Sequence, residues 1–121
     1  MIRKKKINIA IVGLGNIGSY LYKYLLKNKN QLIKKTNTIP NIIAVSAKNK
    51  SKKRKLSIPK SRWAKNYLDI IKNKEVDIIV ELIGGAEGPA KKLVFTALKN
   101  KKNVVTANKA LIAKYGDQLA R

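Results

Sequence analysis

Gly13-Leu14-Gly15-Asn16-Ile17-Gly18 forms a G-x-G-x-x-G element near the N-terminus. The spacing alone is weak, but here it directly follows an apolar run and opens an amphipathic one, the context that gives it meaning. Each glycine meets a separate requirement. Gly13 permits a tight turn, Gly15 lets the backbone approach a pyrophosphate, and Gly18 lets a helix pack close to the preceding strand. Asn16, Ile17 and Gly18 open that helix, whose unpaired N–H groups and positive dipole end attract phosphate. A strand-to-helix turn without a ligand is the bland alternative.

A dinucleotide site of the NAD type usually places Asp or Glu at the end of the second strand, on the ribose 2′-hydroxyl. This chain has no carboxylate between Gly18 and Asp69, and its second strand runs into Ser46-Ala47-Lys48-Asn49-Lys50-Ser51-Lys52-Lys53-Arg54. A carboxylate there would repel a 2′-phosphate, whereas a lysine cluster attracts it. NADP(H) is therefore expected, with NAD(H) disfavoured, and Lys48 with one or more of Lys52, Lys53 and Arg54 is expected near the 2′-phosphate. A solvated lysine-rich loop is the competing explanation.

Ligands of open α/β sheets bind beyond the carboxyl ends of the strands. That rule brings Ile83, Gly84, Gly85, Thr106 and Lys109 into the candidate cofactor site beside the glycine turn. The pair Gly84-Gly85 keeps a loop low enough for a flat cofactor to lie over it. Lys109 is the candidate catalytic residue: a cation directly after a strand, able to contact the nicotinamide–substrate region or shuttle a proton. By composition it is simply one of many surface lysines. Glu81, inside a buried strand, reads as an ordering hydrogen-bond acceptor, and Glu87 as a helix N-terminal residue favoured by the dipole.

Strands and helices must alternate to position these groups. The Ile/Val-rich run 7–12 predicts a parallel strand buried on both faces. Ile17, Leu21, Tyr24 and Leu25 then mark one helix face, fading near Asn28. Residues 29–41 read as a loop or frayed helix tail, and 42–45 as a second strand. The stretch 46–62 reads as a mobile basic loop or irregular segment, with Trp63 at its end on a very short edge strand. Asn66 is placed to cap a helix over 67–73. A strand over 76–83 follows, then a helix opened by Pro89 with Ala90, Leu93, Val94, Ala97 and Leu98 on its buried face. A fourth strand spans 103–106, and a short helix around 110–114 stops at Gly116. The pattern predicts a Rossmann-like, doubly wound α/β fold with a mostly parallel sheet. The final residues look like the opening of a further helix, so the sheet is expected to be incomplete at the C-terminus.

Composition narrows the chemistry further. The 121 residues hold 28 Lys and Arg against 6 Asp and Glu, with no His and no Cys. Cysteine nucleophiles, histidine bases, thiolate or imidazole metal sites and disulfides are thereby excluded. A formal charge of +22 favours anionic partners. Lysine supplies most of it, though, where a nucleic-acid reader more often uses Arg for bidentate contacts, and aromatics are few. No nucleic-acid partner is expected. No apolar run approaches the roughly 20 residues that span a bilayer. A cytoplasmic protein without a membrane partner is expected.

Two further segments are more specific than the glycine turn. Val80-Glu81-Leu82-Ile83-Gly84-Gly85, followed by Glu87-Gly88-Pro89-Ala90, and Val104-Val105-Thr106-Ala107-Asn108-Lys109-Ala110-Leu111-Ile112-Ala113 resemble homoserine dehydrogenase, and the resemblance covers essentially the whole chain from Ile7 onward, in order. The resemblance implies an NAD(P)-dependent oxidoreductase that interconverts L-homoserine and L-aspartate 4-semialdehyde, on the route to threonine, methionine and isoleucine. It implies that residues 1–121 are the dinucleotide-binding part, with a substrate and dimerisation domain to follow, and that the intact protein is a homo-oligomer. It associates the position of Lys109 with the cofactor and catalytic centre. A truncated chain without turnover of its own is the expectation. The rivals are a cofactor domain of another semialdehyde or dihydrodipicolinate-type reductase, and a non-enzymatic NADP-sensing module.

Overall fold

The computed structural model describes residues 4–47, 56–83, 88–107 and 109–119, among which four strands and five α-helices follow one another. The elements are β1 (Lys5–Val12), α1 (Asn16–Lys27), α2 (Lys29–Thr36), β2 (Thr38–Ser46), a 3-10 turn at Lys60–Arg62, α3 (Tyr67–Lys72), β3 (Ile78–Glu81), α4 (Pro89–Lys99), β4 (Asn103–Thr106) and α5 (Lys109–Leu119). Every strand pairing is parallel, in the order β2-β1-β3-β4. The chain leaves β1 toward one side and later returns to its other side. Sequence order therefore reverses between β1 and β3, the topological switch point at which open α/β sheets bind ligands.

The continuous apolar run of β1 is divided between two cores by the two-residue alternation of a strand. Ala10 and Val12 join Ile70, Leu93 and Ala97 on the α3–α4 side. Ile11 joins Tyr22, Ile42 and Val45 on the α1 side. Helices on both faces make the sheet doubly wound, as the alternation of elements predicts. Fully buried side chains such as Ile11 and Leu93 contribute about 1.5–3 kcal/mol each.

Several local expectations are corrected. The segment after Asn28 is a helix, α2, although none of its residues is buried. It is stopped by Asn37, whose left-handed backbone (φ 55°) lets its N–H donate to the Ile33 carbonyl at 2.8 Å. The second strand starts at Thr38, because pairing with Lys5–Ile9 extends it toward its N-terminus. Pro40 is accommodated opposite Ile7, since β2 is an edge strand. A bulge then leaves Ile43 as an extra residue between the pairs Ile9–Ile42 and Ala10–Ala44.

On α1 the buried positions are Gly18 and Tyr22, flanked by the partly buried Leu21 and Leu25, while Ile17 and Tyr24 face outward. The core face is rotated because Gly18 sits directly against the backbone of the turn. The third strand is shorter than its apolar run, Ile78–Glu81. Leu98 is exposed on α4, beside the buried Ala90, Leu93, Val94 and Ala97. Gly116 lies inside α5, which continues to Leu119. Trp63 makes a parallel bridge to Val45, the very short edge element expected of it.

Candidate functional site

The glycine turn joins the carboxyl end of β1 to α1, and its geometry explains two of its three glycines directly. Gly13 has φ 105°, a region L side chains rarely adopt, and a Cβ there would stand 2.7 Å from both the carbonyl carbon and oxygen of Leu82. A Cβ on Gly18 would overlap the Gly13 carbonyl oxygen. Helix, turn and β3 are thus in backbone contact at this point. Gly15 differs. Its φ of −73° suits any residue, and a Cβ there would meet no atom of the described residues within 4 Å.

Gly15 is also the N-cap of α1, and among the described residues no side-chain hydrogen bond caps the helix. The amides that open α1, from Asn16 to Gly18, therefore lack a capping side chain, which is the arrangement that receives phosphate oxygens. The open side of Gly15 gives a pyrophosphate room to reach them. These residues fit a dinucleotide.

A cleft of about 210 Å³ opens at the same end of the sheet. Gly13 from the turn, Ser46 and Ala47 from the end of β2, Ile83 after β3 and Pro89 at the start of α4 line it. The Gly13 N–H donates to the Ser46 carbonyl at 2.8 Å, and the Leu82 N–H to the Val12 carbonyl at 2.8 Å, so sheet pairing continues into the cleft walls. Lys65 also lines the cleft, and no carboxylate does among the described residues.

Lys65 was not anticipated from the sequence. It reaches this position because Ala64 N–H donates to the Val45 carbonyl at 2.9 Å and Trp63 bridges Val45, attaching residues 63–64 to the edge of β2. Asn66 then caps α3 by accepting from the amides of Leu68 and Asp69 at 2.8 and 3.2 Å.

Glu81 is fully buried at the end of β3. Its Oε2 accepts from the Ile83 amide at 2.7 Å, and its Oε1 from the Thr106 hydroxyl at 2.5 Å. Register places Glu81 opposite both Val12 and Thr106, so one carboxylate ties the carboxyl ends of β3 and β4 together beside β1. The structure thus brings Gly13, Gly15, Asn16, Ile17, Gly18, Ile83 and Thr106 to the same end of the sheet. Lys109 is described by its backbone, at the first position of α5. Lys48, Lys52, Lys53, Arg54, Gly84, Gly85 and Glu87 lie outside the described residues. Among the described residues no group of three or more acidic side chains is arranged to hold a metal ion, and no helix is long and apolar enough to cross a membrane.

Residues 13–121 match the family model described as homoserine dehydrogenase, NAD binding domain. The homoserine dehydrogenase of Bacillus subtilis is 36% identical over 115 residues, covering 95% of this chain and 26% of that protein. That of Neisseria gonorrhoeae is 34% identical with the same coverage. Among solved structures, a Staphylococcus aureus homoserine dehydrogenase superposes with a TM-score of 0.84 at 41% identity, over 95% of this chain and 29% of that one. The enzyme from Thiobacillus denitrificans gives 0.86 at 35% identity, over 96% and 26%. The chain spans about a quarter of the length of the relatives it matches.

Proposed function

The chain belongs to the homoserine dehydrogenase NAD-binding domain family, and from that premise we propose that residues 1–121 form the NADP(H)-binding domain of an enzyme interconverting L-homoserine and L-aspartate 4-semialdehyde. The observation that carries the reading is the cleft at the switch point. It has a glycine turn whose middle glycine leaves open space, a lysine on its wall and no carboxylate among its described lining residues. The α1 N-terminus would hold the pyrophosphate. Ser46, Ala47 and Lys65 would face the adenosine ribose, and Ile83 and Pro89 the nicotinamide half.

When bound, the dinucleotide exchanges a hydride at nicotinamide C4 with the carbon bearing the substrate oxygen. Lys109, at the opening of α5, is the residue of this chain proposed to serve the reacting centre, as a cation or proton carrier. Homoserine and the semialdehyde, a route toward threonine, methionine and isoleucine, a homo-oligomeric intact enzyme and a cytoplasmic location complete the reading. We place the substrate residues in the part of the relatives that this chain does not span, so turnover by these 121 residues alone is not expected.

Titration of the purified chain with NADPH and NADH at several salt concentrations tests the cofactor choice. NADPH is expected to bind more tightly, with the advantage shrinking as salt rises, because screening weakens contacts between a phosphate and lysines. Lys65→Met is expected to lower NADPH affinity by about fivefold or more while leaving NADH nearly unchanged, the loss of one charge-assisted contact. Equal affinity for the two cofactors, or tighter NADH, defeats the NADP assignment.

A further inference from the structure

The carboxyl ends of β3 and β4 carry opposite responsibilities in the proposed site. Ile83 follows β3 and forms a wall of the cleft, while Thr106 ends β4, three residues before Lys109. One buried carboxylate, Glu81, accepts a hydrogen bond from each. The peptide it fixes is also the one that Gly13 rests on, since the Leu82 carbonyl and Ile83 amide are the atoms a Gly13 Cβ would strike. A rigid path therefore runs from the β4–α5 junction through Thr106, Glu81 and the Leu82–Ile83 peptide to the glycine turn.

A buried carboxylate is costly unless it is well hydrogen-bonded. An apolar residue at this fully buried position would close the core without that cost. What the carboxylate adds is directional constraint on the Ile83 amide, which borders the cleft, and on the Thr106 hydroxyl at the end of β4. In a dinucleotide crevice the adenosine half lies toward the second strand, so the β3–β4 side receives the nicotinamide half.

We propose that Glu81 is a positioning residue: through the Ile83 amide and the Thr106 hydroxyl it sets the nicotinamide side of the cleft against the strand end that leads to Lys109. The assignment rests on the dinucleotide reading above and goes beyond it by giving a role to a buried residue which that reading does not assign to the cofactor.

The test compares two probes, NADPH and 2′,5′-ADP, which carries the adenosine half without nicotinamide. Thr106→Val removes the hydroxyl donor with little change of shape, and Glu81→Met removes the acceptor. Both variants are expected to weaken NADPH binding by about tenfold, the loss of a hydrogen bond to a charged group, while 2′,5′-ADP affinity stays within about twofold. Thr106→Ser keeps the donor and is expected to restore NADPH binding. Should Glu81→Met fail to fold, the Thr106 pair carries the comparison alone. If wild type binds both probes and Thr106→Val weakens neither, or weakens both equally, Glu81 has no positioning role and the cofactor reading survives. If wild type binds neither probe, the cofactor reading and the positioning role fall together.

Discussion

At positions 13, 15 and 18 three identical residues answer to three different forces. Gly13 is required by its backbone angle and by the Leu82–Ile83 peptide beneath it, and Gly18 by the Gly13 carbonyl oxygen. Among the described residues nothing within 4 Å requires Gly15, and the proposed reason for it is the ligand. The two kinds of glycine should separate by experiment. Gly18→Ala is expected to destabilise the fold by about 1–3 kcal/mol, as overpacking does, seen as a lower thermal midpoint. Gly15→Ala is expected to leave that midpoint unchanged and to weaken NADPH binding by about tenfold, since its methyl group would occupy the space of the pyrophosphate. A lowered midpoint for Gly15→Ala would assign it to the fold instead of the ligand.

Elements in this fold are joined by polar contacts at their ends as much as by apolar contacts between them. At the amino-terminal end of β3, Lys102 extends from the α4–β4 connection and its Nζ donates to the carbonyls of Asn73 and Val76, at 2.7 and 2.9 Å. The preceding Lys101 takes a left-handed backbone (φ 59°) to turn the chain there. Lys102 is thus structural, although composition would class it as one more solvated lysine. Lys102→Met keeps the aliphatic stem and strands two carbonyls, at an expected cost of about 1–2 kcal/mol. Chemical denaturation of wild type and variant measures it; an unchanged midpoint concentration would show that water replaces the ammonium at no cost. Across the sheet, burial on the α1 side declines from Ile11, fully buried on β1, to Val105 on β4, 56% exposed, because α1 lies over β1 and β2.

For the molecule as a whole the dominant feature is charge. A formal +22 on 121 residues repels itself in the compact state more than in the expanded one. Added salt should therefore stabilise the fold, with the thermal midpoint rising from low to moderate ionic strength as the screening length shortens to about 10 Å near 0.1 M. Circular dichroism melts in about 10 and about 300 mM NaCl, on either side of that screening regime, read this directly. A midpoint that is flat or falls with salt would mean that the basic side chains are placed to avoid one another. The same charge gives an anionic dinucleotide a favourable long-range field.

By itself the sequence determined the strand-and-helix alternation, the parallel sheet, the glycine turn and the family, because two-residue and helical periodicities and fixed motif spacings are written locally. It also marked Glu81 as an ordering acceptor, since a carboxylate inside an apolar run has little other use. Tertiary structure decided what depends on long-range register. It turned 29–36 into a helix without any buried residue, extended β2 across Pro40, rotated the core face of α1 toward Gly18 and carried α5 through Gly116. It also brought Lys65 to the cleft, by attaching Trp63 and Ala64 to the edge of β2. A lysine's neighbours are set by backbone pairing far away in sequence, so no local pattern distinguishes Lys65, which lines the cleft, from the other lysines.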